Sequence, residues 1–231
     1  MTYALGSEVD TFSPLIMTYT GVMAIAGREA LEPVILTLPE RVTEEMLIAI
    51  ARKNPQYRFE TMSDGRLVVS PLTGTFASFG EAELVSQLVS WNKQRRLGRV
   101  ASSTGGITLK DGAIKGPDAA FISERRITAL SPNRKKRAFE QIAPDVVFEL
   151  LSPTDRLPYT VAKCEEYIET GTDVAILLNP RDRTVTLYRK ACEPVVVLDS
   201  GPVTIGDEMP GFTLDVRAVF DASEAPDDRS R

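Results

Sequence analysis

The chain has 231 residues, of which 43% are hydrophobic and 26% charged, proportions typical of a folded globular protein. It contains no histidine and two cysteines, which excludes histidine-dependent nucleophilic catalysis and histidine-ligated zinc and argues against a disulfide framework. Its net charge of −5 excludes a generally basic nucleic-acid binder. Carboxylate and lysine chemistry remains, and any metal would be a hard ion such as Mg²⁺ or Mn²⁺.

Residues 1–34 are predicted to form an N-terminal extension ahead of one domain over residues 35–222, with internal starts at Met17 and Met23 left open. The apolar stretch 15–26 is shorter than the about 20 residues that span a bilayer. It also lacks the basic residues that begin a signal peptide. We therefore expect a cytoplasmic protein without membrane contact.

Hydrophobic periodicity and turn signals predict an alternation of helices and strands. Thr43 is a typical helix N-cap, and Asp64-Gly65 separates two strand-like runs as a hairpin turn. The predicted elements are a helix over 43–53, a hairpin over 57–70, a helix over 80–96, strands over 100–109, 117–123 and 146–151, a helix over 158–170, strands over 174–178, 184–189 and 195–198, and a polar tail over 223–231. This order predicts an α/β fold, a mixed β-sheet flanked by helices in a single domain.

Glu149 stands alone among apolar residues in the strand predicted over 146–151. An unpaired ionised carboxylate in such a strand costs several kcal/mol, so Glu149 needs a partner or a proton. Asp145 lies about 13 Å away along the strand, too far to share an ion. Asp118, which leads the strand over 117–123, is the best candidate. Two arrangements remain open: a metal ion held by both acids, or Asp118 capping a turn while Glu149 pairs with a buried arginine.

Several short motifs occur in a characteristic order between roughly residues 36 and 190. They are Arg58-Phe59-Glu60 with Asp64-Gly65 and Ser70-Pro71, then Pro117-Asp118, Glu149-Leu150-Leu151-Ser152-Pro153, Lys163, Tyr167, Gly171 and Asn179-Pro180. Together they resemble the PD-(D/E)XK nuclease superfamily, and more closely its Uma-two branch of restriction endonucleases. The resemblance implies a restriction-endonuclease-like fold and an endonuclease that hydrolyses DNA.

The resemblance also implies roles for single residues. Asp118 and Glu149 would be catalytic residues that hold Mg²⁺ or Mn²⁺, and Lys163 would replace the catalytic lysine that is absent at Leu151. Lys163 falls at the flank of the apolar stripe of its predicted helix, from which its ammonium can extend towards Glu149. We then expect Lys163→Ala to lose cleavage while folding and metal-induced stabilisation survive.

Glu81 and Tyr167 are further candidate site residues. Glu81 is either a third acid of the site or, as the residues favour, an acid in the first turn of the predicted helix 80–96. Asn179 stands where the family pattern has aspartate. The family often has a histidine at the start of its first helix, and this chain has none.

Two basic segments are candidate contacts to DNA phosphates, with solvated surface as the alternative. They comprise Lys93, Arg95, Arg96, Arg134, Lys135, Lys136 and Arg137. A homodimer is expected by the resemblance, because cleavage of both strands needs two active sites. Two other function classes stay open: a nuclease-like fold that binds nucleic acid or protein without cutting, and a metal-dependent hydrolase of a smaller phosphodiester.

Overall fold

The computed structural model describes residues 33–130, 137–198 and 201–225. All of them fall in a compact unit that begins at Glu32. The predicted N-terminal extension lies outside these ranges apart from Pro33 and Val34, and Val34 already begins the first strand. Residues 226–231 of the predicted polar tail also lie outside the described ranges.

The first described part of the chain forms a small antiparallel sheet with one helix. Its elements are β1 (Val34–Leu36), α1 (Glu44–Lys53), β2 (Arg58–Thr61) and β3 (Leu67–Ser70). The strand order is β1-β3-β2. Thr43 caps α1 by accepting a hydrogen bond from the backbone N–H of Met46, and Gly65 takes a φ of 87° in the β2–β3 turn. The predicted cap and hairpin are therefore present.

The rest of the described chain builds a six-stranded mixed sheet with helices on both faces. The helices are α2 (Thr75–Arg95), α3 (Glu124–Thr128), α4 (Leu157–Glu169) and α5 (Val216–Ser223). The sheet strands are β4 (Gly98–Ser102), β7 (Ala119–Ser123), β8 (Val146–Leu150), β9 (Val174–Asn179), β10 (Thr184–Arg189) and β11 (Val195–Leu198). Two short hairpins complete the described elements: β5 (Ile107–Thr108) with β6 (Ile114–Lys115), and β12 (Val203–Thr204) with β13 (Thr213–Leu214).

The strand order of the large sheet is β11-β10-β9-β8-β7-β4. Only β8 and β9 pair in parallel, and α4 connects them as a crossover helix. The other neighbours are antiparallel. The predicted α/β class, a mixed sheet flanked by helices, is confirmed.

Strand β8 separates two hydrophobic clusters. Val146, Phe148 and Leu150 pack into the cluster that contains the buried side chains of α2 and α5. Val147 packs into the cluster formed with α4 on the opposite face. Because side chains alternate along a strand, Glu149 points to the same face as Val147, towards α4. This alternation places the acidic side chain beneath that helix.

Several elements differ from the prediction, among them the short helix α3 and strands β12 and β13, which were not predicted. Helix α2 begins at Thr75 rather than near residue 80, the predicted strand over 100–109 divides into β4 and β5, and helix α5 is new. Helix α2 packs on the sheet through Leu84, Leu88 and Trp91. It begins five residues before the predicted start, at Thr75, because no proline and no side-chain cap interrupts the helix between residues 75 and 80. Within the described ranges, no helix is both long enough and apolar enough to cross a membrane.

Candidate active site

Asp118 and Glu149 lie on neighbouring antiparallel strands. Ala119 of β7 faces Phe148 of β8, so the same register sets Asp118, one residue before β7, opposite Glu149. Facing residues of antiparallel strands direct their side chains to the same face. Asp118 Oδ2 accepts a hydrogen bond of 2.8 Å from the backbone N–H of Leu150, which fixes its carboxylate against β8.

Asp145 lies apart from these two acids at the other end of β8. Its carboxylate accepts hydrogen bonds from the backbone N–H of Ser123 at 2.6 Å and from the Ser123 hydroxyl at 2.9 Å. It therefore closes the connection between β7 and α3 and takes no part in the Asp118–Glu149 pair.

Lys163 extends from α4 to Glu149. Its Nζ lies 3.0 Å from Oε1 and 3.1 Å from Oε2 of Glu149, and the side chain is only 8% exposed. Tyr167, one turn further along α4, donates its hydroxyl to Glu149 Oε1 at 3.1 Å. The ammonium is thus directed into the protein rather than to solvent. Among the described residues, no arginine forms a hydrogen bond or ion pair with Glu149.

Glu60 is a fourth member of this cluster that sequence reasoning did not select. Its Oε1 lies 3.0 Å from Lys163 Nζ and accepts the backbone N–H of Gly116 at 2.7 Å. Arg58 shares its face of β2 and places Nη1 3.4 Å from Asp118 Oδ1. The available signal was the alternation of polar Arg58 and Glu60 with Phe59 in one strand, which gives β2 a polar face that could meet another element.

Burial raises the pKa of Glu149 to about 8, although Lys163 lowers it, and the charges of Asp118 and Glu60 raise it further. Burial likewise raises the pKa of Asp118 above its ordinary value, against the opposing effect of Arg58. Both groups therefore resist ionisation in the absence of added positive charge.

Glu60 behaves differently from its neighbours. Burial acts to raise its pKa, but Lys163, Lys115 and the Gly116 N–H together hold that pKa below its usual range. Burial acts to lower the pKa of Lys163, and Glu149 and Glu60 raise it well above the ordinary value. The Glu60–Lys163 contact is therefore an ion pair with both partners charged.

Glu81 belongs to this environment rather than to a helix start. Because α2 begins at Thr75, Glu81 lies in its second turn, and the interpretation as a first-turn acid is wrong. Burial and the charge of Asp118 raise the pKa of Glu81, while hydrogen bonds from the side chains of Ser103 and Thr73 lower it. The electrostatic influence of Asp118 indicates that the two acids are near each other.

The cluster carries more negative than positive charge. Burial acts to lower the pKa of the Arg58 guanidinium, and four carboxylates raise it by their charge: Asp118, Glu60, Glu149 and Glu81. Arg58 and Lys163 supply two positive charges, whereas Lys115 is engaged by Glu166 at 2.8 Å. Full ionisation would leave a net charge of about −2, which a divalent cation would balance.

The donor set fits a Mg²⁺ or Mn²⁺ ion held largely by water. No group of three or more acids, cysteines or histidines in the described residues forms a metal-binding cluster. Mg²⁺ keeps several waters and is usually bound through one or two carboxylates, so two acids such as Asp118 and Glu149 would be enough to hold it.

Tyr159, in the first turn of α4, adds an unused polar group beside the cluster. Its hydroxyl is buried and has no hydrogen-bond partner among the described residues. Burial raises its pKa, and the charges of Glu60 and Glu149 raise it further. The hydroxyl is a neutral donor at physiological pH.

Two of the predicted DNA-contacting residues, Lys93 and Arg96, are separated from the acids. Lys93 and Arg96, with Arg99, line a cavity of about 590 Å³ beside Gly98. Gly98 is the first residue of β4 and pairs with Ser123, the last residue of β7. Asp118, in contrast, comes directly before the first residue of β7. The cavity is therefore at the opposite end of these strands. Arg95 lies close to Gly211, Arg137 forms an ion pair of 2.9 Å with Glu44, and Arg134, Lys135 and Lys136 lie outside the described residues.

A family model described as "Putative restriction endonuclease" (Uma2) matches residues 43–217, about three quarters of the chain. This chain belongs to the Uma2 family. No curated protein matches it. A solved structure titled as a putative nuclease belonging to DUF820, from Anabaena variabilis ATCC 29413, is similar in fold, with a TM-score of 0.66 and 22% identity over 79% of this chain and 99% of the other.

The departures of this Uma2 chain from the family pattern have structural explanations. Leu151, where a lysine could stand, is buried in the cluster beneath α4. The amide of Asn179 binds the turn after β9: Nδ2 donates to Asp182 at 3.0 Å, and Oδ1 accepts the backbone N–H of Arg181 at 3.1 Å. Asn179 thus serves the turn, and Lys163 provides the ammonium next to Glu149.

Proposed function

We propose that this Uma2 chain is a Mg²⁺- or Mn²⁺-dependent endonuclease that hydrolyses DNA phosphodiester bonds. The observation that carries the proposal is the pair of facing acids, Asp118 and Glu149, on adjacent buried strands with the Lys163 ammonium 3.0 Å from Glu149. The fold does not need these charged residues in a buried sheet, because apolar residues of similar volume usually give a protein that is at least as stable.

Each side chain has a task in this proposal. Asp118 and Glu149 would hold the cation, which when bound polarises the scissile phosphate and lowers the pKa of the attacking water. Lys163 offsets the negative charge that develops on the phosphate. Tyr167 orients Glu149 by donating to Oε1, and Arg58 orients Asp118. The backbone N–H of Leu150 holds the second Asp118 oxygen in place.

The test is plasmid nicking by the purified protein with Mn²⁺ or with EDTA, together with the metal-induced change in melting temperature. We expect nicking with Mn²⁺ alone, and a rise in melting temperature because an ion that binds only the folded state stabilises it by mass action, by about 2.7 kcal/mol at one hundred times its Kd. Asp118→Asn abolishes both effects.

Asp145→Asn is the matched control for this test. Asp145 is as buried as Asp118 but binds Ser123 at the other end of β8. The substitution lowers stability and leaves the response to Mn²⁺ intact. Loss of the response in Asp145→Asn, or its survival in Asp118→Asn, contradicts the proposed ligand pair.

A catalytically silent binding module is the second candidate function. It is favoured by the engagement of both Glu149 oxygens by Lys163 and Tyr167, which leaves the site internally paired without a cation. Retardation of DNA without metal-dependent nicking would support this function. If the protein neither nicks nor retards DNA, a hydrolase of a smaller phosphodiester remains as the candidate function.

We also propose a homodimer as the form that cuts both strands, since a two-fold symmetric pair presents two identical sites to the two strands of DNA. Sedimentation equilibrium measures the mass directly. A monomer in the presence of DNA and Mn²⁺, combined with double-strand cleavage, would contradict this arrangement.

A further inference from the structure

Lys163 has two carboxylate partners that belong to different sheets. Glu149 is on β8 of the large sheet, and Glu60 is on β2 of the small antiparallel sheet. Lys163 Nζ lies 3.0 Å from an oxygen of each. The proposed function assigns Glu149 to a cation, but it gives Glu60 no task.

A cation on Glu149 changes the situation of Lys163. The two positive charges repel each other, and the carboxylate oxygens that contact the ammonium are the same oxygens that a metal ligand offers. With Glu149 as its only partner, the ammonium would be displaced as the ion binds. A second partner that does not bind the ion removes this conflict.

Glu60 meets the requirements for that partner. Its carboxylate is held independently of Glu149 by the backbone N–H of Gly116 at 2.7 Å. The Gly116 carbonyl accepts from Lys163 Nζ at 3.3 Å and from Arg58 Nη2 at 3.1 Å, so a single residue, Gly116, binds the Glu60 carboxylate through its N–H and the Lys163 ammonium through its carbonyl. The oxygen of Glu60 that faces Lys163 is the same Oε1 that accepts the Gly116 N–H, so this oxygen is already engaged by two donors.

We infer that Glu60 is a positioning residue: it holds the Lys163 ammonium at the site when Glu149 is engaged by a cation. The inference rests on the proposed function, because it concerns the division of labour between the two glutamates of that site. Glu60 itself touches neither the phosphate nor the ion.

The test uses residue-specific acylation of lysines in the metal-free protein, followed by mass spectrometry. Glu149→Gln imitates the loss of Glu149 as an ionic partner, and Glu149→Gln/Glu60→Gln removes both partners. A charge-assisted hydrogen bond of ordinary strength shifts an equilibrium about tenfold or more. We therefore expect Lys163 to label slowly in wild type and in Glu149→Gln, and about tenfold faster in the double variant.

Internal controls are available in the same spectra. Lys110 is exposed and reports the unprotected rate, and Lys115 is buried against Glu166 and reports whether a variant is folded. Glu166→Gln is the matched control variant, because it removes the partner of Lys115 and leaves Lys163 slow. Replacing Glu60→Gln by Glu60→Asp in the double variant keeps the negative charge and is expected to restore part of the protection of Lys163 against acylation.

Equal labelling of Lys163 in Glu149→Gln and in the double variant would overturn the inference. If the double variant does not fold, Glu60→Gln labelled in saturating Mn²⁺ decides, because the cation then engages Glu149: faster labelling of Lys163 than in wild type with Mn²⁺ supports the inference, and the wild-type rate overturns it. Failure of the proposed function appears separately, as absence of a Mn²⁺-induced rise in melting temperature and of nicking, and does not affect the comparison of the metal-free variants.

Discussion

At the scale of single residues, the raised pKa of Glu149 makes the stability of the metal-free protein depend on pH. The folded pKa of about 8 exceeds the ordinary value of 4.5, so the folded state binds more protons between these values. The free energy of unfolding then falls as pH rises from 6 to 8.5, by at most about 1.4 kcal/mol per pH unit for one group. Lys163 and Glu60 titrate outside this window, since their pKa values move up and down, respectively.

Glu149→Gln reduces this dependence, and Asp118 and Glu81, whose pKa values are also raised, contribute the rest of it. We expect the variant without metal to be more stable than wild type at pH 6, and by a larger margin near pH 8, as measured by urea unfolding in EDTA. A variant that is strongly destabilised at both pH values would show that Glu149 is needed as a structural ion-pair partner.

Lys163 is expected to show a divided phenotype. Lys163→Met abolishes metal-dependent nicking but keeps the rise in melting temperature with Mn²⁺, because lysine is not a ligand. The structure adds a cost of about 3 kcal/mol without metal, since Glu60 and Glu149 lose their shared cation. Urea unfolding and nicking assays measure the two effects, and full nicking by the variant would remove Lys163 from the site.

The residues of the site differ in how far sequence reasoning could locate them. Asp118 and Glu149 stand out as acids within apolar strands, and the missing lysine at Leu151 directs attention to Lys163. Glu60 carries only a weaker signal, the polar face that it forms with Arg58 on β2, and its contact with Lys163 depends on how the small sheet docks against the large one. Residues that meet through docking are invisible to periodicity along one strand.

At the scale of elements, the contact between α2 and α5 depends on Gly80. A Cβ at this position would lie 1.9 Å from Ser223 Oγ and 3.0 Å from Leu150 Cδ2. Gly80→Ala is therefore expected to destabilise the protein by about 1–3 kcal/mol through overpacking, although alanine favours helices more than glycine does. Urea unfolding measures the change.

Gly74→Ala is the control for this prediction, because a Cβ there meets nothing within 4 Å. Adding Ser223→Ala to Gly80→Ala removes the closest atom and recovers part of the loss. Equal stability of Gly80→Ala and Gly74→Ala would contradict the close packing of the two helices.

Helix α5 illustrates why some elements escape prediction. Asp215 caps it by accepting the backbone N–H of Ala218, and Val216, Val219 and Phe220 are its buried residues. The spacing of these three residues is helical, but eight residues hold too few repeats to outweigh the surrounding short strands and polar tail. Longer elements, such as α4 and the β2–β3 hairpin, combine periodicity with a turn or stop signal and were predicted.

At the scale of the whole molecule, the position of the basic cavity makes a prediction about DNA binding. Lys93 and Arg96 lie at the far end of β4 from the acids, about 16 Å away along the strand. If both contact backbone phosphates, Lys93→Ala/Arg96→Ala lowers the slope of log affinity against log salt by about 2. Binding isotherms at several salt concentrations measure that slope.

Arg52→Ala/Lys53→Ala removes the same charge from the exposed end of α1 and serves as the control. The predicted difference between the two double variants is specific to location, since both change net charge equally. An identical slope in the two variants would assign Lys93 and Arg96 to the solvated surface.

The site is assembled from four charged residues, Glu60, Asp118, Glu149 and Lys163, which lie far apart in the chain, from β2 to α4. Contacts between such distant segments form slowly, because the chain between them must close into long loops, at a cost in entropy, before the contacts can stabilise the fold. During synthesis on the ribosome, Glu60, Asp118 and Glu149 all emerge before Lys163. A product that terminates before α4 therefore carries the three acids without the ammonium that contacts Glu60 and Glu149, so the acids have no such counter-charge until α4 has been synthesised.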